Sequence, residues 1–284
     1  MCTAKHLIKR ICRRLGLWDT VEKVYVRRYE VVTAKESLAG KKILVTGGTS
    51  GIGLAIARKC IALGANVLVT GRVDAKLQDV LSGDTTGKLM GMKWDVTNFS
   101  DLEMYVNKAF AILGGSCDSL VNNAGISIRE EVGELTFEVW DKILESNLKA
   151  PVFIAQAVAN KWIRSQSGGV ILNVSSMAGV EPAVDAYSAS KCALNSITKG
   201  MARRFGKFDI RVNALAAGVT IGTNLRDLQR SIKPEGDVRA DWIPLKRYAV
   251  PEEIAETAAF LISDQSSYTT GYVFEVDGAG SIRQ

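Results

Sequence analysis

Histidine is almost missing from this chain. His6, near the N-terminus, is the only one in 284 residues. A Ser-His-Asp triad or a His-rich metal cluster has no material to form from, so no metal site is expected. Acid–base work must fall to Tyr, Lys, Ser or a carboxylate. Cysteine is scarce as well. Cys2, Cys12, Cys60, Cys117 and Cys192 are odd in number and scattered, with no Cys-x-x-Cys spacing. That argues against a disulfide framework and for a reducing, cytoplasmic-type compartment. No run of 18 or more apolar residues is present, so no membrane span is expected. Net charge is missing from most of the chain too. Residues 1–35 hold nine Lys or Arg against three acids and account for the whole net charge of +6. The rest is balanced, which gives no reason to expect a nucleic-acid partner.

What is present divides at about residue 37. Residues 1–37 form a basic extension in which Leu7, Ile8, Ile11, Leu15, Trp18, Val21 and Tyr25 recur at helical steps. Three readings of it stay open. It packs on the domain or on a second copy, lies on an anionic membrane surface, or serves as a cleaved targeting peptide. Residues 38–284 read as one domain. Short apolar runs begin at Lys42, Asn66, Lys88, Ser119, Val170, Ile210 and Tyr272, and helical patterns fill residues 52–63, 99–113, 137–163 and 187–205. Pro151 marks a local disturbance in the third of these helices. Strands alternating with helices predict an α/β fold, a doubly wound parallel sheet of Rossmann-like type. Residues 218–248 lack periodicity and read as a lid or substrate segment.

Two motifs carry chemistry. Thr46-Gly47-Gly48-Thr49-Ser50-Gly51-Ile52-Gly53 ends a strand and opens a helix. Glycine lets backbone approach a pyrophosphate closely, and the helix N-terminus offers unpaired N–H groups. Farther on, Tyr187 and Lys191 stand one helical turn apart. An ammonium near a phenol is expected to pull the phenol's pKa below its usual 10 or so, toward a value suited to proton exchange with a carbonyl oxygen.

These stretches occur with Asp95-Val96, Asn122-Asn123-Ala124-Gly125, Asn147, Ser175-Ser176, Thr270-Gly271 and Val276-Asp277-Gly278. In that order and approximate spacing, the chain resembles the classical short-chain dehydrogenase/reductase family over residues 40–280. The resemblance implies that Gly47, Ser50, Gly51, Ile52 and Gly53 line a cofactor pyrophosphate. Asp95 and Val96 would meet the adenine. Asn122, Ala124 and Gly125 would close over the adenine-side ribose and steady the sheet. Tyr187 would be the acid in reduction and the base in oxidation, tuned by Lys191, which would also bind the nicotinamide ribose. Ser176 would donate to the substrate carbonyl, and Asn147 would hold a water linking Lys191 to solvent. The chain departs from the family pattern in places. Ser176 and Tyr187 are 11 apart, about two fewer than usual, which leaves Ser175 as an alternative to Ser176. Ala217-Gly218 stands where Pro-Gly is usual, so Val219, Thr220 or Thr223 would contact the nicotinamide amide.

The second strand ends in Thr70-Gly71-Arg72 with no acid. Arg72 there favours NADP(H) over NAD(H), through a charge-assisted bond to a 2′-phosphate. The expected reaction is hydride transfer between NADP(H) and a carbonyl or secondary alcohol, as a carbonyl reductase of 3-oxoacyl reductase type. One alternative is an NAD-dependent dehydrogenase of a sugar, steroid or other secondary alcohol. Another is a non-catalytic NAD(P)-binding redox sensor. The resemblance also implies a homodimer or homotetramer through the helices near residues 100–113 and 137–163, with residues 126–135, 177–186 and 219–248 around a small-molecule substrate.

Overall fold

The computed structural model describes residues 37–128, 130–222 and 240–282. The basic extension therefore lies outside the described residues, as do Thr223 and most of the expected lid segment.

Seven strands build one parallel sheet: β1 Lys42–Val45, β2 Asn66–Gly71, β3 Leu89–Lys93, β4 Ser119–Asn122, β5 Gly169–Ser176, β6 Ile210–Ala217 and β7 Val273–Val276. Their spatial order is β3-β2-β1-β4-β5-β6-β7. The helices are α1 Gly51–Ala62, α2 Asp74–Ser82, α3 Leu102–Ile112, α4 Phe137–Leu144, α5 Ala150–Ser165, α6 Ala186–Phe205 and α7 Pro251–Ile262. This is the doubly wound, Rossmann-like sheet expected from the alternating pattern.

Side-chain alternation along the strands explains the two-sided core. Ile43, Val45, Val67, Val69, Val121, Leu172 and Leu215 point to one face, where α1 and α7 pack. Leu44, Leu68, Leu120, Ile171 and Val212 point to the other, under α3, α5 and α6. Strands buried on both faces must be apolar at successive positions, hence their continuous runs of Val, Ile and Leu.

Two helices absent from the sequence expectation are present. α2 shows only Leu77 and Val80 to the core, too few to raise a periodic signal. α7 had the signal: Pro251 opens it, and Glu252 and Glu253 sit in its first turn. The disturbance expected around Pro151 takes a definite form. Between α4 and α5 lies a π-helical segment, Glu145–Lys149, in which the Ala150 N–H donates to the Glu145 carbonyl five residues back. Proline at the second position of α5 has no N–H for the carbonyl of Asn147, and its ring crowds that carbonyl.

Strand order reverses between β1 and β4. In open α/β sheets the crevice beyond the carboxyl ends of the strands at such a reversal is where ligands bind. The glycine turn after β1 and residues 123–125 after β4 flank it.

Candidate active site

The glycine turn is held shut by the neighbouring strand end. Thr46 Oγ1 accepts the N–H groups of Asn123 and Ala124, both at 3.1 Å. The Asn123 amide donates back to the carbonyls of Thr46 (3.1 Å) and Gly47 (2.9 Å). Gly47 takes a φ of +64°, and a Cβ there would lie 2.8 Å from the Ala124 Cα. A Cβ on Gly53 would collide with the Asn123 amide. These glycines are thus required by packing of the turn itself. Asn123 had no role in the sequence reading beyond its place in a motif. Its position beside β1 is visible only once β1 and β4 pair.

α1 starts at Gly51 without a side-chain cap. Ser50 makes no capping bond, and the first turn carries no acid. The leading amides of Gly51, Ile52 and Gly53 are left for a partner beyond the protein, and the helix dipole favours a negative one. A dinucleotide pyrophosphate fits such a site.

The other expected cofactor residues follow the neighbouring strands β2, β3 and β6. Arg72 is exposed just after β2. Asp74, the nearest acid, is paired with Lys93 at 2.7 Å. Asp95 lies half-buried after β3, and its Oδ1 accepts from the Thr97 N–H (3.0 Å) and hydroxyl (2.7 Å). Val96 is buried beside it. Val219 and Thr220 follow β6 and are fixed by residue 249: the Ala249 N–H donates to the Val219 carbonyl at 3.0 Å, and the Ile221 N–H to the Ala249 carbonyl at 2.9 Å.

Asn122 belongs to a different assembly. Its side chain is buried in the sheet and donates to the Pro151 carbonyl (3.1 Å) and to Asn173 Oδ1 (3.0 Å). Asn173 in turn donates to Thr198 Oγ1 on α6 at 2.9 Å. Of the two roles implied by the resemblance, closing over a ribose and steadying the sheet, the side chain serves the second. This amide ties β4 to β5 and α5, because buried polar groups must find partners where they lie.

The second cluster sits where β5 meets α6. Asp185 caps α6. Its Oδ1 accepts from the Ser188 N–H (2.7 Å) and hydroxyl (2.6 Å), while Ser188 Oγ accepts from the Asp185 N–H at 3.1 Å. That capping box aims the first turn of α6, and with it Tyr187, at the end of β5. The Tyr187 hydroxyl faces the Ser176 side chain. Ser176 Oγ accepts from the Ala178 N–H at 3.2 Å. Ser175, on the opposite face of β5, is buried with its hydroxyl unpartnered among the described residues. The short Ser–Tyr connection fits because Gly179 packs against Lys191. A Cβ on Gly179 would lie 2.8 Å from the Lys191 Cβ.

Lys191 is buried and donates from Nζ to the Val174 carbonyl at 2.9 Å. Its ammonium lies 5.7 Å from the Tyr187 ring centroid. Burial pushes its pKa down to about 8. The expected lowering of the Tyr187 pKa is not what the structure holds. That pKa is pushed up, chiefly by burial; the Ser176 side chain works against the shift and the charge of Asp185 adds to it. Removal from water disfavours the charged form of both groups, and the Lys191 ammonium is directed at Val174 instead.

Asn147 joins the two clusters. Almost fully buried, it accepts the Ile126 N–H and donates to the Ile126 carbonyl, each at 2.8 Å, and its Nδ2 lies 3.4 Å from Ser190 Oγ. Gly125 is sandwiched there, since a Cβ on it would lie 3.0 Å from Asn147 Oδ1. Pro151, four residues on, has no N–H to give the main-chain carbonyl of Asn147.

Comparison with known proteins agrees with this fold. A family model described as enoyl-(acyl carrier protein) reductase matches residues 47–280. The chain is 39% identical over 249 residues to a 3alpha-hydroxysteroid dehydrogenase of Mediterraneibacter gnavus, covering 85% of this chain and 97% of that protein. It is 35% identical over 243 residues to an L-xylulose reductase of Bos taurus, covering 85% and 96%. A solved structure of a short chain dehydrogenase/reductase family protein superposes with a TM-score of 0.77 at 32% identity, covering 87% of this chain and all of that one.

Proposed function

The chain belongs to the short-chain dehydrogenase/reductase family and acts on CH–OH or C=O groups with a nicotinamide cofactor; on that premise we propose that it is an NADPH-dependent carbonyl reductase. The observation that carries the reading is the junction of β5 and α6, where Tyr187 and Ser176 stand together with the buried Lys191 beside them. A phenol kept protonated at neutral pH is the form that gives a proton to a carbonyl oxygen. When bound, the nicotinamide supplies the hydride to the carbonyl carbon. Ser176 donates to the carbonyl oxygen and holds it at the Tyr187 hydroxyl, which delivers the proton that completes the alcohol. Lys191, with its pKa near 8, passes a replacement proton inward from a water held at the Asn147 carbonyl. Asn147 also steadies Gly125 and Ile126 beside the cofactor through its paired bonds to Ile126.

The amides of Gly51, Ile52 and Gly53 would hold the pyrophosphate, with Gly47 and Ser50 shaping the turn. Asp95, Val96, Ala124 and Gly125 would line the adenosine half. Val219 and Thr220 would face the nicotinamide amide. NADPH is favoured over NADH because Arg72 is exposed beyond β2 while Asp74 is committed to Lys93. The exposed apolar groove on α4, α5 and α6, with Leu144, Leu148, Val152, Phe153 and Ile197, would receive a second copy of the chain. Among the described residues no helix is long and apolar enough to cross a membrane. The buried thiols of Cys60 and Cys117 accord with a reducing, cytoplasmic setting.

Replacing Tyr187 with Phe tests the reading. NADPH binding, followed by fluorescence, should persist while turnover falls by about 10²- to 10⁴-fold. Undiminished turnover would remove Tyr187 from the chemistry.

A further inference from the structure

Met177 follows Ser176 directly in the chain, and its thioether is buried against the C-terminal residues. A Cβ on Gly280 would lie 3.2 Å from Met177 Cε and 3.2 Å from Trp242 Cζ3. The thioether and the indole therefore meet across this glycine. Trp242 is 54% exposed, yet the turn that carries it is tightly tied. Ala240 and Ile243 on either side are buried. The Ile243 N–H donates to the Ala240 carbonyl at 2.9 Å, the Lys246 N–H to the Ile243 carbonyl at 2.8 Å, and Lys246 Nζ to the Asp241 carbonyl at 2.7 Å. An indole held outward by a fixed turn is a surface kept open to something apolar.

The neighbouring stretches carry the same character. Val180 and Val184, on the path from Ser176 to α6, are exposed, and so is Ile282 just past Gly280. Three acids of these segments are engaged internally. Asp185 is taken up in the α6 cap. Asp277 accepts the N–H groups of Ala279 (2.9 Å) and Ser281 (2.8 Å), and Glu275 accepts the Ser281 hydroxyl at 2.9 Å. A pocket for a polyol needs several polar groups converging on its hydroxyls, and it loses heavily when they are not matched. Here Asp185, Asp277 and Glu275 are satisfied by the protein, and Trp242, Val180, Val184 and Ile282 leave apolar surface beside them.

We propose that Trp242, with Met177 across Gly280, forms an apolar wall that selects a rigid, bulky hydrophobic ketone, such as a fused-ring ketone, over a ketose. This rests on the assignment of Ser176 and Tyr187 as the pair at the reacting carbonyl. The indole offers a broad flat face at little conformational cost, and Met177 adapts to the ring edges.

The test compares a decalone with a ketopentose as NADPH-dependent substrates of the wild-type enzyme, Trp242→Ala and Trp242→Phe. The wild type should prefer the decalone. Trp242→Ala should raise its KM by about 10- to 100-fold with kcat little changed, and leave the ketopentose within about threefold. Trp242→Phe, which keeps a ring, should recover most of the loss. Calorimetric binding of the decalone to the Tyr187→Phe enzyme loaded with NADPH reads the wall without turnover, and adding Trp242→Ala should weaken it by the same factor. Full activity in Tyr187→Phe would sink the catalytic assignment and leave this binding result standing by itself. A wild-type preference for the ketopentose, no decalone binding to the loaded enzyme, or an equal effect of Trp242→Ala on both substrates would overturn the wall.

Discussion

Replacing Lys191 with Met should change the stability of the protein in a pH-dependent way that can be worked out beforehand. Burial takes the Lys191 pKa from an ordinary 10.5 to about 8. Below about pH 8 the ammonium is charged in both folded and unfolded chains, and the folded state bears the full cost of keeping it out of water. Between pH 8 and 10.5 the folded protein has given up this proton while the unfolded chain still holds it. The unfolded state binds more protons there, so stability rises with pH across that window and levels off above it. A drop of this size corresponds to about 3 kcal/mol. Lys191→Met fills nearly the same space with no charge, so its stability lacks this rise. The assay is urea unfolding of both proteins, without cofactor, at intervals from pH 7 to pH 10.5 or so. Shared titrations, including those of buried Cys60 and Cys117, cancel in the difference. Wild type should gain about 3 kcal/mol on the variant across the window, beginning from a deficit that the lost bond to the Val174 carbonyl makes smaller. A flat difference would refute the claim that the buried ammonium strains the fold.

Other substitutions test separate links. Arg211, buried at the start of β6, donates to the carbonyls of Leu261 (3.0 Å), Ser263 (2.9 Å) and Thr269 (3.3 Å) and to the Ser266 hydroxyl (3.0 Å); Arg211→Met should cost about 3–5 kcal/mol in urea unfolding, because those acceptors stay buried. Asn147→Ala should lose about 1–3 kcal/mol of stability from the unpaired Ile126 backbone and lower kcat more than the KM for NADPH. Arg72→Glu should raise the KM for NADPH by at least tenfold or so, with little change for NADH, if the guanidinium meets the 2′-phosphate; equal effects on both would refute that contact.

The sheet was readable because strands buried on both faces are continuous apolar runs, and the glycine turn because its strand-to-helix setting is local. Tyr187 and Lys191 were readable as a pair for the same reason: their spacing on α6 is set by the helix alone. The direction of the Tyr187 shift was not readable. It depends on how deeply α6 packs and on Asp185, whose charge reaches the phenol only because Asp185 caps that helix. Pro151 announced a disturbance, but its form as a π segment over Glu145–Lys149 required the neighbouring turns. Asn122 was legible as a residue that steadies the sheet, but its partners, 29 and 51 positions away, were not, because only the packing of β4 on β5 and α5 brings them together. Trp242 had no signal of its own, because the meaning of an exposed indole lies in Gly280 and Met177 beside it.

The chain of amides from Asn122 through Asn173 to Thr198 has a bearing on how the sheet finds its alignment. Asn122 and Asn173 are direct neighbours across β4 and β5. Apolar strands slide past one another at little cost in contacts, since Val, Ile and Leu substitute for each other at every step. A shift of β5 by one residue would carry Asn173 to the opposite face and strand three polar side chains in hydrocarbon at once. These residues act as a key in a lock of otherwise interchangeable teeth. The same strand ends in Ser176, so the alignment that seats Asn173 under α6 also delivers the serine hydroxyl to Tyr187. A misaligned sheet would lose its catalytic centre together with its internal pairing, which leaves few half-correct folds in which one survives without the other.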